Sequence, residues 1–407
     1  MLKNRCITTS QLITCFLTFI LAITTHVANA NANEFSECKT NLKHLAQTQG
    51  FSSYIVDDII DGLSPINRVI TLDNNQAEFV ESFAQYVNKR VSSYHVKHGK
   101  ALLKKHQTLF ENLHQQYGIP PQYLVSFWGL ETVFGKHKGK MSVLNSIATL
   151  ACDQRRSEYF TSELFDLFYL LDNNTVEVSQ LQGSWAGAMG HMQFMPSAFR
   201  QYAVDGDNDG KIDVWQSEVD AITTAANYLN KIGWQKRERW GREVLLPENF
   251  DFSAVEFDQT YSLSTFAEMG VTKITGKALP HYQTQAELVL PNGAQGHAFL
   301  VYQNFNVIMD WNLSKSYALS VGILADKLIG ASGVRALKNT QPLAFSRTQM
   351  EKLQVKLNAL GFDSGKPDGL WGPNSRKAIR KYQLEQNLVA DGFPNQEVFE
   401  LLGLQQS

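Results

Sequence analysis

The chain has little cysteine, no excess of one charge, and no long hydrophobic run beyond its first thirty residues. Four cysteines in 407 residues exclude a small scaffold built on disulfides. Lys and Arg number 37 against 39 Asp and Glu, a formal net charge of −2, so the chain carries no electrostatic footprint for nucleic acid. No segment past the N-terminus is long and apolar enough to span a bilayer, and no repeat of the larger region is visible. His106, His114, His137 and His191 lack the paired spacing of a zinc site. His191 is expected to line a cleft rather than bind a metal.

What is present begins with residues 1–30. Lys3 and Arg5 precede an apolar stretch from Leu12 to Ile23, and "HVANANANE" offers small-residue cleavage sites after Ala30 or Ala32. That is the pattern of a secretory signal. Cys15 sits inside the apolar stretch after Thr14, which favours a soluble product over a lipoprotein. Cys38 and Cys152 remain after cleavage, and they can be two buried thiols or one disulfide.

The length allows two or three domains. Patterns from Phe35 to about Lys231 are mostly helical, broken by "GLSP" (62–65) and by Pro120-Pro121. The Gly-rich segment "QGSWAGAMGHMQFMPSAF" (182–199) interrupts them, and Gly183, Gly187 and Gly190 suit backbone that turns sharply or approaches a ligand. Short strands and turns are expected from about 246 to 310, then a helix from Ser316 to Leu328. A linker at 336–346 precedes a compact module at 347–405 that reads as helix, Gly turn, helix and a short final helix.

The segment "FWGLETVFGKHKGK" (127–140) raises a chemical question. Leu124, Phe127, Trp128 and Glu131 share one helical face, so an otherwise apolar face contains an acid. Desolvation by Phe127, Trp128 and Phe134 would raise its pKa and keep it protonated near neutrality. A general acid for glycosidic-bond cleavage needs that property. The alternative is a Glu131 that turns to solvent or pairs with a lysine of "KHKGK". A second constellation is "DGDNDGKID" (205–213). Asp205, Asp207 and Asp209 alternate before Gly210, as at the start of a calcium loop, with Lys211 offering its backbone carbonyl. Position twelve is Gln216 rather than a bidentate Glu, and a solvated Asp/Gly turn is the competing reading.

"WGLETVFGKHKGKMSVLNSIATLACDQRRSEYFTSEL" and "GSWAGAMGHMQFMPSAFRQYAVDGDNDGKIDVW" resemble the lytic murein transglycosylase B family. The likeness runs from about Phe35, through "YGIPPQYLVSFWGLET" and "VDAITTAANYLNKIGW", to about Leu328. It implies a mainly α fold with a lysozyme-like helical catalytic domain and small β elements, over 31–335. It also implies cleavage of the MurNAc-β-1,4-GlcNAc bond of peptidoglycan without water, in the periplasm of a Gram-negative bacterium. Glu131 would be the acid/base. Ser184 and Gln193 match residues that contact sugar near the acid. Arg155, Arg156 and Tyr159 match a substrate-binding set, with pairing to Asp153 or Glu158 as the structural alternative for one arginine. Phe194, Tyr228 and Tyr317 match cleft positions. Trp311 replaces a tyrosine, which keeps stacking and puts the hydrogen bond in question. The family's calcium loop closes with a later aspartate, here Asp220, with Glu218 competing.

The C-terminal module is similar to a peptidoglycan-binding domain. Leu353-Gln354, Leu360-Gly361, Asp368-Gly369, Trp371-Gly372, Ala378 and Tyr382-Gln383 carry that likeness. Asp368, Trp371 and Gln383 could touch sugar or stem peptide, although Trp371 equally suits the core of so small a domain. The linker is expected to tether this module to the catalytic region. A hydrolytic muramidase and a wall-binding scaffold without catalysis are the competing functional readings.

Overall fold

Helix breakers cut the chain where the pattern places them. The computed structural model describes residues 34–74, 82–331, 333–335 and 345–404, so the signal segment 1–30 and nearly all of the linker at 336–346 lie outside the described residues. The chain divides into two units. One comprises Met1–Asn74, Gly139–Met189 and Gln193–Gln201, and the other Asn75–Lys138, Gly190–Met192 and Tyr202–Ser407.

In the first unit a helix covers 34–48. The "GLSP" break puts Leu63 in extended backbone, and the freed amides of Ser64 and Ile66 donate to Asn145 Oδ1 (3.1 Å) and Thr149 Oγ1 (2.9 Å). These bonds seat the helix Asn67–Asn74 against Val143–Ala151. Helix Val143–Ala151 starts at Ser142, whose side chain accepts from the Asn145 amide, an N-cap of the usual kind. It packs on Ser157–Asp172. Cys38 and Cys152 form a disulfide with Cα atoms 5.7 Å apart, which decides between the two alternatives left open by sequence. Closing a separation of 114 residues constrains the unfolded chain strongly.

The second unit is organised around the helix Pro121–Thr132. Pro120 is extended, Pro121 occupies the first turn, and eight of the twelve residues are buried, Phe127 and Trp128 completely. Helices Ser93–Lys105 and Lys315–Leu328 pack against it. It stops one turn earlier than Gly135 suggests: Val133, Phe134 and Gly135 are all left-handed, with φ of 52°, 61° and 82°. A β-branched residue there is strained. Thr132 stabilises the turn, with its Oγ1 accepting from the Gly135 amide at 2.8 Å.

The expected strands form a five-stranded antiparallel sheet in the order Thr260–Ser262, Gln285–Val289, Ala298–Val301, Gly241–Leu245, Thr272–Lys273. Val244, Phe266, Leu288 and Leu300 anchor its core.

The module contains three helices, Arg347–Ala359, Pro373–Glu385 and Gln396–Leu401, over a core of Leu353, Leu357, Ile379 and Phe399. Its signature glutamines prove to be internal braces. Gln354 Oε1 accepts from the amides of Asp368 (2.9 Å) and Gly369 (2.7 Å), while its Nε2 donates to Asp368 Oδ1 (2.9 Å). Gln383 repeats this arrangement one helix later, accepting from Gly392 N (2.8 Å) and donating to Asp391 Oδ1 (2.9 Å). Both glutamines are buried, so the Gln383 amide does not face solvent, whereas Asp368 is exposed. Trp371 donates to Gly392 O (3.1 Å) and packs edge-on to Phe393. It is half-buried and packs against the module's core.

The module also makes specific contacts with the region around the sheet. Arg380 of the module is buried and donates to Glu256 Oε2 (2.5 Å) and to the carbonyls of Phe252 (3.0 Å) and Val255 (2.7 Å). Asp391 Oδ2 accepts from the Ala294 amide at 2.8 Å. Arg376 lies over the rings of Phe257 and Trp371. The module is therefore docked on the region around the sheet by groups that need their partners. Arg380→Ala should destabilise this unit by about 2 kcal/mol, the scale of lost charge-assisted hydrogen bonds. Denaturant unfolding checks this, and an unchanged midpoint would restore the free tether.

Candidate active site and metal loop

Glu131 lies in the last turn of the buried helix and is itself half-buried. Two donors reach the same carboxyl oxygen. Trp311, at the end of helix Gln303–Trp311, donates Nε1–H to Oε1 at 2.9 Å, and Tyr317 donates its hydroxyl to Oε1 at 2.5 Å. Tyr317 sits in the first turn of Lys315–Leu328, which is capped by Ser314, whose Oγ accepts from the Tyr317 amide at 3.2 Å. The indole thus makes the hydrogen bond that replacement of tyrosine had put in question.

Trp311 also belongs to a row of rings. It packs on Phe127 (centroids 4.6 Å apart, 40° between planes) and on Tyr228 (5.0 Å, 33°), and Tyr228 stacks on Tyr202 (4.7 Å, 18°). Sequence reasoning missed Tyr202. Its only signal was an aromatic residue just ahead of the acidic loop.

His191 departs from the cleft-lining expectation. It is 6% exposed. Its Nδ1 accepts from Trp128 Nε1 at 3.1 Å and its carbonyl accepts from Thr132 Oγ1 at 2.7 Å. Burial, then the neighbouring Lys138 ammonium, push its pKa down to about 4. The ring is a neutral strut beneath the Glu131 helix.

In the first unit, the Gly-rich loop folds back on itself. Met189 and Phe194 exchange two backbone hydrogen bonds (2.8 and 3.0 Å), which leaves Gln193 between them in the left-handed region at φ 53°. Ser184 accepts from the Ala188 amide through Oγ at 3.0 Å and donates its own amide to Ala188 O at 2.9 Å. Gly183 has no room for a side chain, since a Cβ would lie 2.1 Å from Ala188 O, and Gly187 combines φ +87° with contact to Ile147. Phe194 is 2% exposed.

Arg155 and Arg156 both pair with Asp73, and Arg156 lies over the Phe160 ring. Asp73 is buried and is the partner that sequence did not find. Asp153 accepts the Arg155 amide at 3.0 Å. Tyr159 is exposed.

The acidic loop returns to the second unit. Carboxylate oxygens of Asp205, Asp207 and Asp209 lie within 4.8 Å of one another. Asp205 accepts from the Gly210 amide (2.9 Å) and Asp207 from Ser217 Oγ (2.9 Å). Asp220 is buried, and its two oxygens accept from the amides of Gly206 and Asp213, both at 2.8 Å. Burial raises its pKa, and the charges of Asp207 and Asp205 add to the rise, against the pull of those two amides. Glu218 instead binds Lys105 (2.6 Å) and His106 (2.9 Å).

A carboxyl held by two donors beside a row of rings is chemistry for sugar bonds, and comparison with known proteins agrees. The family described as the transglycosylase SLT domain matches residues 34–326, and the family described as a peptidoglycan binding domain matches 346–402. Membrane-bound lytic murein transglycosylase B of Escherichia coli (strain K12) is 32% identical over 305 residues, 72% of this chain and 81% of its own. Among solved structures, SltB3 from Pseudomonas aeruginosa in complex with NAG-anhNAM-pentapeptide is 37% identical with a TM-score of 0.83, covering 91% of this chain and 99% of that one. The Escherichia coli lytic transglycosylase Slt35 in complex with calcium is 30% identical with a TM-score of 0.61, covering 74% and 92%. The chain belongs to the lytic murein transglycosylase B family. It is a peptidoglycan lytic transglycosylase with a peptidoglycan-binding domain.

The depressed His191 pKa gives a pH signature. Neutral in the fold and near 6.5 when unfolded, it contributes stability that is complete above pH 6.5 and lost as pH falls toward 4. The contribution reaches up to about 3 kcal/mol. The stability difference between wild type and His191→Gln should therefore narrow across that window in equilibrium unfolding. A constant difference would show that the ring can charge in place.

Proposed function

We propose that Glu131 serves first as general acid and then as general base in a non-hydrolytic cleavage of the MurNAc-β-1,4-GlcNAc bond. The single observation that carries this is the convergence of Trp311 and Tyr317 on Oε1. On this reading the two donors hold the carboxyl's rotation and Oε2 carries the transferable proton. That proton passes to the glycosidic oxygen as the C1–O bond breaks. The substrate's N-acetyl group shields the developing cation, so one carboxyl suffices. The muramic acid 6-hydroxyl then forms a bond to C1 and gives its proton to Glu131, which restores the acid and leaves a 1,6-anhydro ring. No water is consumed.

Ser184 and Gln193 are proposed to contact the sugars, and Arg155, Arg156 and Tyr159 to meet the substrate's carboxylates. Guanidinium groups suit that task, and the buried Asp73 orients both arginines. Tyr228 and Trp311 offer ring faces. We assign residues 1–30 to export into the periplasm and the module at 347–405 to holding the wall.

Glu131→Gln keeps the shape and removes the proton, so turnover should fall by about 10²–10⁴. Mass spectrometry of the released muropeptides tests the chemistry, because anhydro ends are lighter than hydrolysed ends by one water. Hydrolysed ends would favour the muramidase reading, and a variant with more than half of wild-type turnover would move the role to another group.

Calcium is proposed at Asp205, Asp207 and Asp209, with the Lys211 carbonyl and with Asp220 beneath them. Clustered hard oxygens fit that ion, and when bound it would neutralise the charges that now repel Asp220. Binding to the native state raises the melting temperature by mass action, and Asp207→Ala should abolish most of that rise. An equal shift with magnesium would favour a solvated turn.

A further inference from the structure

Tyr202 closes the helix Pro196–Tyr202 and is the outermost ring of the row that ends at the acid. The backbone around it is tied to helix Glu218–Lys231 at two points. Its carbonyl accepts from Asn227 Nδ2 at 2.8 Å, and the Val204 amide donates to Thr224 Oγ1 at 3.0 Å. The same helix carries Tyr228. Tyr228 is therefore sandwiched, with Tyr202 nearly parallel at 4.7 Å and Trp311 at 5.0 Å. Trp311 in turn meets Phe127 at 4.6 Å. A ring held between two others cannot tilt without disturbing both, because close packing transmits displacement. The tilt of Trp311 decides whether its N–H points at Glu131 Oε1.

We propose that Tyr202 is a positioning residue for the catalytic acid. It fixes the plane of Tyr228, hence the plane of Trp311, and hence the indole hydrogen bond that sets the rotation of Glu131. The inference rests on the reading of Glu131 as the acid. It assigns Tyr202 a mechanical role and no contact with substrate. The stack carries the effect, so the phenolic hydroxyl is dispensable.

Three full-length variants test it: Tyr202→Phe, Tyr202→Leu and, as a reference, Trp311→Phe. Turnover on peptidoglycan glycan strands is measured with near-UV circular dichroism and melting curves. The Trp311 contribution to the near-UV spectrum is the difference between wild type and Trp311→Phe. Tyr202→Phe should retain kcat within about twofold and keep that contribution. Tyr202→Leu should lose it and lower kcat about five- to tenfold, the scale of one aromatic pair, with KM changed less than about twofold. Wild-type kcat in Tyr202→Leu overturns the proposal. So does a rise in KM at constant kcat, which would make the ring a substrate contact, or equal impairment in Tyr202→Phe, which would give the role to the hydroxyl. A kcat loss that merely follows a loss of folded protein overturns it as well. The spectral measurement involves no catalysis, so it separates this proposal from the acid assignment. An active Glu131→Gln would remove the acid while leaving the Tyr202–Trp311 coupling measurable.

Discussion

A carboxyl on the buried side of a helix can persist only if its polar atoms are matched, and the answer at Glu131 governs much of the second unit. Trp311 and Tyr317 supply two donors to one oxygen. Meeting that demand requires the end of one helix and the start of the next to converge on a third. The Asn312–Ser314 connection, with its Ser314 cap, holds the two donors six residues apart in sequence on either side of a turn. Helix Pro121–Thr132 accepts their company because Phe127 offers a ring to Trp311, and because His191 beneath it stays neutral and accepts from Trp128. Were His191 charged, its Nδ1 could no longer accept the indole proton. Desolvation that keeps the histidine neutral thus also keeps the helix seated.

Legibility followed sequence distance. Helical periodicity alone located Glu131 on an apolar face, and alternating aspartates located the acidic loop, because both signals are local. The partners of Glu131 come from 180 and 186 residues away and leave no periodic trace, so only likeness to a family pointed to them. Asp73 is farther still from a local rule. It pairs with arginines more than eighty residues on, whereas the nearby Asp153 and Glu158 looked the natural partners. His191 departs from its expectation for a physical reason. Gly-rich loops invite the expectation of exposed side chains, but here glycines let the backbone approach so closely that the intervening large residues point inward.

The module shows a different limit. Its signature residues are what a wall-binding domain would be recognised by, yet Gln354 and Gln383 satisfy backbone amides of the two Asp-Gly turns at Asp368 and Asp391. A recurring motif can therefore mark what holds a fold together rather than what touches a ligand. The two glutamine–turn braces also form an internal repeat that composition hides, because the segments between them differ in length.

Docking of the module changes what its presence means physically. A tether raises local concentration in proportion to its freedom, but buried Arg380 and Asp391 remove that freedom by matching backbone groups of the sheet region. The same region reaches the acid by another route. Lys315, two residues before Tyr317, is gripped by Asp258 (3.0 Å) and Glu287 (2.9 Å), and Arg376 of the module adds its field to both carboxylates. The module and the start of the helix that carries Tyr317 therefore share one connected set of charges. Contacts of this kind exchange reach for a fixed orientation.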